Sequence, residues 1–245
     1  MIPITTYSIT GFTEADGNFY VKISKSKQHK NKYRIKLIFN RTQDQKSLSV
    51  LHEIKNFWKA GFVTKNPFER DNCHKFIVNS HKHIFKKGIP HFTKFALERK
   101  SCTEAADTRG DALHMGIHSH SCGCACPSTG NTKHLSESKS ISVSAGATSG
   151  SNRLQSDFIT GLFDGDGSFF ISFRTNGKIS PHFTCGANGD EVLLKKLQSF
   201  FDCGHIYKIN ETYSRWVVND LRSICTKRIP HFSIYELRTS KKTIF

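Results

Sequence analysis

The sequence predicts a mixed α/β chain built twice from one unit, helix–strand–strand–helix–strand–strand–helix. Three observations predict it. The stretch Ile9-Thr10-Gly11-Phe12-Thr13-Glu14-Ala15-Asp16-Gly17 returns 150 positions later as Ile159-Thr160-Gly161-Leu162-Phe163-Asp164-Gly165-Asp166-Gly167. Each copy is followed by segments whose apolar residues alternate at the strand period and then recur at the helix period. Each half closes on Ile-Pro-His-Phe, and eleven positions separate Asn79 from Pro90 and Asn219 from Pro230.

In both opening helices small residues stand at i and i+4, Gly11 with Ala15 and Gly161 with Gly165. Those positions share a helix face, so the two helices can approach almost backbone to backbone. Crossing them brings Asp16 and Asp166 together at helix C-termini, where two carboxylates are unfavourable without a cation between them. Gly17 and Gly167 are expected to end the helices in the left-handed conformation. Over 18–24, Phe19, Val21 and Ile23 alternate with Asn18, Tyr20, Lys22 and Ser24; over 33–40, Tyr33, Ile35, Leu37 and Phe39 alternate with Arg34, Lys36, Ile38 and Asn40. This is a hairpin with one buried face and one cationic face. Leu48, Leu51, Ile54 and Phe57 mark a helix over 44–59, with Gly61 as its stop. Strands near 61–65 and 74–80 and a helical stretch near 82–86 complete the half. The second half repeats the order. Phe169, Ile171 and Phe173 point inward over 168–174, 180–186 is the partner strand, 191–201 the helix, and 204–210 and 214–219 the last strands. The matched register sets Lys75 against Arg215 and Phe76 against Trp216.

Charge bounds the partner. Lys and Arg number 36 against 20 Asp and Glu, a formal net charge of +16. That balance implies a polyanion, nucleic acid ahead of an anionic membrane surface. No apolar run approaches the roughly 20 residues of a membrane-spanning helix. Twenty Phe argue for packed cores. Eight Cys without a disulfide-like spacing suit a reducing compartment. The start, Met1-Ile2-Pro3-Ile4-Thr5-Thr6-Tyr7, has neither a basic n-region nor an Arg-rich amphipathic character. Residues 101–153, rich in Ser, Gly, Ala and Thr, read as a largely unstructured linker between repeats at 1–100 and 154–245. Three His and three Cys crowd 114–126, but Cys-x-Cys-x-Cys lacks the two-residue gaps of structural zinc sites. A degenerate coding stretch is the other reading of that composition.

The stretches Ile9 to Gly17 and Ile159 to Gly167 resemble the two signature motifs of LAGLIDADG homing endonucleases of the single-chain, two-repeat type. The resemblance covers about 7–97 and 157–245 and implies two αββαββα repeats forming a DNA-binding saddle of antiparallel sheets, a monomer with an internal pseudo-two-fold axis. It implies a site-specific double-strand cut in a long, asymmetric double-stranded DNA target by metal-dependent phosphodiester hydrolysis. Asp16 and Asp166, with the adjoining Gly17 and Gly167, would hold Mg²⁺, whose charge serves water activation and phosphate neutralisation. The resemblance adds a polar group after the second strand, Gln43 and by alignment Asn188, and a Lys near the end of each repeat. Lys241 fits in the second; in the first, Ser101 takes that place and Lys100 comes one residue early. Residues expected at DNA are Tyr20, Lys22, Ser24, Arg34, Lys36, Asn40, Lys75, Ser172, Arg174, His182 and Arg215. Glu14 and Asp164 are expected to make local hydrogen bonds. The resemblance also implies an intron-encoded protein of a mitochondrion, with the chloroplast as alternative. An RNA-splicing maturase acting on intron RNA, and a DNA-binding relic without cleavage, are the competing readings.

Overall fold

The computed structural model describes residues 3–28, 32–65, 72–98, 106–108, 112–117, 154–173, 179–189 and 191–244. The first half forms α1 (Thr6–Asp16), β1 (Asn18–Lys25), β2 (Tyr33–Asp44), α2 (Leu48–Trp58), β3 (Phe62–Lys65), β4 (Cys73–Val78), α3 (His81–His83) and α4 (Ile89–Lys94). Two short strands follow, β5 (Ala106–Thr108) and β6 (Ala112–Ile117). The second half forms α5 (Ser156–Asp166), β7 (Gly167–Phe173), β8 (Ile179–Asn188), α6 (Val192–Phe201), β9 (His205–Lys208), β10 (Tyr213–Val218), α7 (Leu221–Ser223) and α8 (Ile229–Ile234). A π-helical turn joins α3 to α4 at Ile84–Gly88 and α7 to α8 at Ile224–Arg228. Each half thus folds in the predicted order, around its own antiparallel sheet.

The sheet orders are β3-β4-β2-β1-β6-β5 and β7-β8-β10-β9. Four strands of the first sheet therefore match the second, and β5 and β6 extend it. Both lie in the stretch read as a largely unstructured linker, and Phe19 through Ser24 pair with Ile117 back to Ala112. The outer edge of β1 presents a row of backbone donors and acceptors, and a neighbouring segment satisfies them. The side chains of the His/Cys cluster lie outside the described residues.

Two local expectations are corrected. Gly17 and Gly167 are extended rather than left-handed, at φ −65° and −68°. Each chain passes from helix straight into strand, and a Cβ there would press on Thr13 or Phe163 one turn back, which is why the position is glycine. In α2 the buried residues are Val50, Leu51, Ile54 and Trp58, while Phe57 is exposed. Lys59, not Gly61, ends that helix in the left-handed conformation, as Asp202 ends α6.

The inner sheet faces pack on these helices. Phe39, Trp58 and Phe76 form one aromatic core; Phe183, Phe201 and Trp216 form the other. The distal ends of the hairpins run beyond the helices, so Ile171, Phe173 and Ile35, predicted to point into the core, are exposed. Alternation there marks the side of the sheet correctly but not whether anything covers it.

Candidate active site and nucleic-acid face

The helices α1 and α5 meet main chain to main chain. A Cβ on Gly11 would lie 2.7 Å from the Phe158 carbonyl carbon, and one on Gly161 would lie 2.7 Å from the Phe12 amide nitrogen. Each would also run into a carbonyl oxygen, that of Phe158 or of Ser8. Gly165 faces Ala15 across the same seam. The predicted crossing is present, with both small residues of each helix in it.

Carboxylates two residues apart on these helices do different work. Glu14 accepts from the backbone N–H of Glu98 at 2.7 Å. Asp164 accepts from the backbone N–H groups of Arg238 and Thr239 at 3.0 and 2.9 Å and from the Thr239 hydroxyl at 2.7 Å. Burial pushes the Asp164 carboxyl up, and these donors pull it back. Both acids therefore clamp the segment that follows the last helix of their own half; the hydrogen bonding expected of them is present, but its partners lie far along the chain rather than nearby in sequence.

Asp16 and Asp166 lie at the helix ends, both partly exposed. One oxygen of Asp16 accepts from Arg41 Nη2 at 3.0 Å and from Gln43 Nε2 at 3.4 Å. Arg41 also donates to the Phe12 carbonyl and stacks on the Phe12 ring. It is 1% exposed, and burial lowers its pKa to about 10 against the pull of Asp16, Asp166 and Asp164. Lys241 reaches the same place from the other half, donating to the carbonyls of Gly165 at 2.6 Å and Phe163 at 3.1 Å. Burial lowers its pKa, and Asp16, Asp164 and Asp166 oppose the shift. Both aspartates thus lie within Coulombic reach of the same two cations.

Strand register corrects one pairing. Asn18 pairs with Asn40, and Ser168, its counterpart after the second motif, pairs with Thr184. Arg41 and Cys185 are therefore equivalent, as are Gln43 and Ala187. Asn188 lies one residue beyond, opposite Tyr213, at an exposed position. The alignment missed this because the β7–β8 connection is shorter than its counterpart and the motif alone does not fix the return strand. Lys100 and Arg174 lie outside the described residues. Arg41 was not singled out from the sequence, although an Arg on the inward parity of β2, beyond Leu37 and Phe39, is the signal that could have found it. Two histidines were also missed as site supports. His91 Nε2 bonds the Thr10 hydroxyl at 3.1 Å and His231 Nε2 the Thr160 hydroxyl at 3.4 Å, tying each closing helix to its crossing helix.

The LAGLIDADG endonuclease family matches residues 9–103 and 159–245, two blocks that each open on a crossing helix. The chain belongs to the LAGLIDADG endonuclease family. Its relatives include a probable intron-encoded DNA endonuclease 1 of Mycosarcoma maydis, 27% identical over 97% of this chain and 96% of that protein. A probable intron-encoded endonuclease 2 of Neurospora crassa is 25% identical over 95% of this chain, which spans 56% of that protein's length. Among solved structures, the meganuclease I-SmaMI bound to uncleaveable DNA superposes with TM-score 0.70 at 20% identity, covering 98% of this chain and 87% of that one. The LAGLIDADG homing endonuclease I-GzeII in complex with its DNA target gives 0.69 at 21% identity, with the same coverage. These likenesses establish the LAGLIDADG fold for both halves.

On the outward face of the first LAGLIDADG sheet, Lys22 pairs with Lys36 and Ser24 with Arg34, while Lys75 lies opposite Thr42. Tyr20 and Asn40 share that face, but Asn40 is buried and hydrogen-bonds the Tyr20 hydroxyl. On the second sheet His182 stacks on Phe170 and lies 2.8 Å from the Ser172 hydroxyl, and Arg215 sits over Tyr213. The described candidates therefore fall on the outer faces, opposite the cores, with more free cationic side chains on the first sheet. Among the described residues no helix is long and apolar enough to cross a membrane.

Proposed function

We propose that this chain is an intron-encoded homing endonuclease that makes a site-specific double-strand cut in a long, asymmetric DNA target by metal-dependent hydrolysis. The observation that carries the reading is the placement of Asp16 and Asp166 at two touching helix ends, between Arg41 and Lys241, with cationic strands on the sheets beside them. The names of the relatives and the DNA-bound structural neighbours support it, one neighbour being I-SmaMI with uncleaved target in the presence of calcium ions.

The donor set suits a hard divalent cation such as Mg²⁺, which keeps several waters and takes one or two carboxylates plus phosphate oxygens. Asp16 and Asp166 would hold it, with the adjoining Gly17 and Gly167; among the described residues no larger cluster of His, Cys, Asp and Glu competes. When bound, the ion supplies Lewis-acid charge to the phosphate and lowers the pKa of water. Arg41 and Gln43 fix the orientation of Asp16 by holding one of its oxygens. Lys241, pinned by two helix-end carbonyls, presents a cation where negative charge develops on a phosphate. Lys22, Arg34, Lys36, Lys75 and Arg215 bind phosphates and base edges in the major groove. We place the protein in a mitochondrion, acting as a single chain.

A second reading is favoured by Ala187 and Ser101, which stand where the other half has Gln43 and Lys241. On that reading the chain binds DNA but has lost efficient cutting of one or both strands. A supercoiled plasmid carrying the intronless insertion site of the host gene, incubated with the chain and Mg²⁺, separates the two. Linear product supports the homing endonuclease. Nicked circles, or specific binding with no cut, support the second reading. A binding constant flat against salt from low to physiological concentration would sink both, because phosphate contact releases counterions.

A further inference from the structure

Among the described residues, two ion pairs join the halves away from the aspartates. Lys196 Nζ on α6 lies 2.5 Å from Glu98 Oε2, in the segment after α4. Arg238 Nη1, in the segment after α8, lies 2.5 Å from Glu53 Oε2 on α2. All four side chains are partly buried, between 14% and 29% exposed. Arg238 also donates to the Pro3 carbonyl at 2.9 Å.

The pairs occupy equivalent places. Glu53 and Lys196 each stand six residues before the left-handed residue that ends their helix, Lys59 or Asp202. Glu98 and Arg238 each follow the Pro of Ile-Pro-His-Phe by eight residues, and each has its backbone N–H clamped by the acid of its own crossing helix, Glu14 or Asp164. The pseudo-two-fold operation therefore carries one bridge onto the other with every charge reversed. The first half offers acid at both positions, Glu53 and Glu98; the second offers base at both, Lys196 and Arg238.

We propose that this charge reversal is a recognition code between the halves: each helix face accepts the unlike half and repels a copy of itself. Two first halves placed across the same axis would set Glu98 against Glu53 at both contacts. Two second halves would set Arg238 against Lys196. Only the mixed pairing is attractive at both. The glycine seam cannot make this distinction, since Gly11 and Gly161 meet their partners in the same way. Like charges facing across a partly buried contact discriminate more strongly than the matching pair stabilises, which is how repulsive elements set partner choice.

The full chain tests this directly. Lys196→Glu with Arg238→Glu gives acid against acid at both contacts, the pattern of two first halves. Glu53→Lys with Glu98→Arg gives base against base, the pattern of two second halves. Each double variant is expected to lower the melting midpoint by about 4–8 °C, and less in high salt. Combining all four changes reverses every charge and is expected to restore the midpoint to within about 2 °C of the parent. Lys46→Glu with Lys65→Glu controls for net charge and should leave it near the parent. Should a double variant fail to accumulate folded, the Lys196→Glu single variant and its rescue by added Glu98→Lys read the same coupling. Double variants that melt with the parent overturn the code. A fourfold variant that melts as low as the doubles, together with a failed rescue of Lys196→Glu by Glu98→Lys, overturns it equally.

Discussion

In the first half the inner face of β2 carries Arg41 and Gln43 toward Asp16; in the second half β8 carries Cys185 and Ala187 at those places. The lysine contacting helix-end carbonyls comes from the second half, Lys241, where the first has Ser101. Several features that shape the backbone are duplicated: the seam glycines, the Thr–His ties, the π turns and the left-handed helix ends. Each of these constraints acts on the local backbone of one helix or turn and must be met twice. Countercharge around two adjacent carboxylates is pooled. One buried Arg already draws on Asp16, Asp166 and Asp164, and a second at position 185 would share the same three acids at the cost of another desolvated cation.

The largest effect should come from the duplicated part. Gly161→Leu places a side chain against the Ser8 carbonyl and the Phe12 amide, where neither backbone can yield. We expect a loss of about 3 kcal/mol or more, and no cooperative melt in a marginal chain. A thermal transition at the parent temperature would show that the seam is not the joint.

The pooled part should respond unequally. Asp16→Asn and Asp166→Asn should both abolish double-strand cutting while specific binding persists. Asp16→Asn should also destabilise the fold by about 3 kcal/mol, because Arg41 keeps its burial and loses its bonded carboxylate. Asp166→Asn should cost about 1 kcal/mol or less. Urea unfolding of the two variants side by side checks the asymmetry; equal losses would mean that Arg41 leans on both acids alike.

Acid should strain both halves equally. Burial lowers the pKa of His91 and of His231 from the ordinary 6.5 to about 4, with Arg228 adding to the shift of His231. The folded state keeps these rings neutral, so their contribution is complete above pH 6.5 and is lost as pH falls toward 4. The loss should reach about 3 kcal/mol per ring at most. Measured as the difference between parent and a His→Gln variant, the pH dependence should be alike for position 91 and position 231.

Lys241→Met should likewise have only a small effect on the fold, about 1 kcal/mol, since two carbonyls lose a donor at a partly exposed site. It should slow cutting of one strand far more than the other, seen as nicked plasmid accumulating before linear product.

Most of the fold was legible because a duplicated sequence supplies its own check. The seam and the order of helices and strands follow from residue type and period, and Glu14 and Asp164 were legible as hydrogen-bonding acids but not as clamps on distant backbone. What escaped was whatever depends on partners distant in sequence. The return register of β8 rests on its pairing with β7 and β10, so Ala187 rather than Asn188 faces Gln43's place. Arg41 looks like an interruption in an apolar face until Asp16 is set beside it. The β6 pairing arises from an open edge, not from any pattern in the linker.

The contact at Gly11 and Gly161 has a mechanical side. Side chains in a packed interface can adjust by rotamer, but two peptide planes in contact have almost no compliance. The distance between Asp16 and Asp166 is accordingly set by covalent dimensions, and the helix pair behaves as a fixed gauge. On the proposed reading, a duplex whose phosphates reach cations held by those aspartates would have to come to the gauge's setting, and the work of deformation would fall on the duplex rather than on the protein.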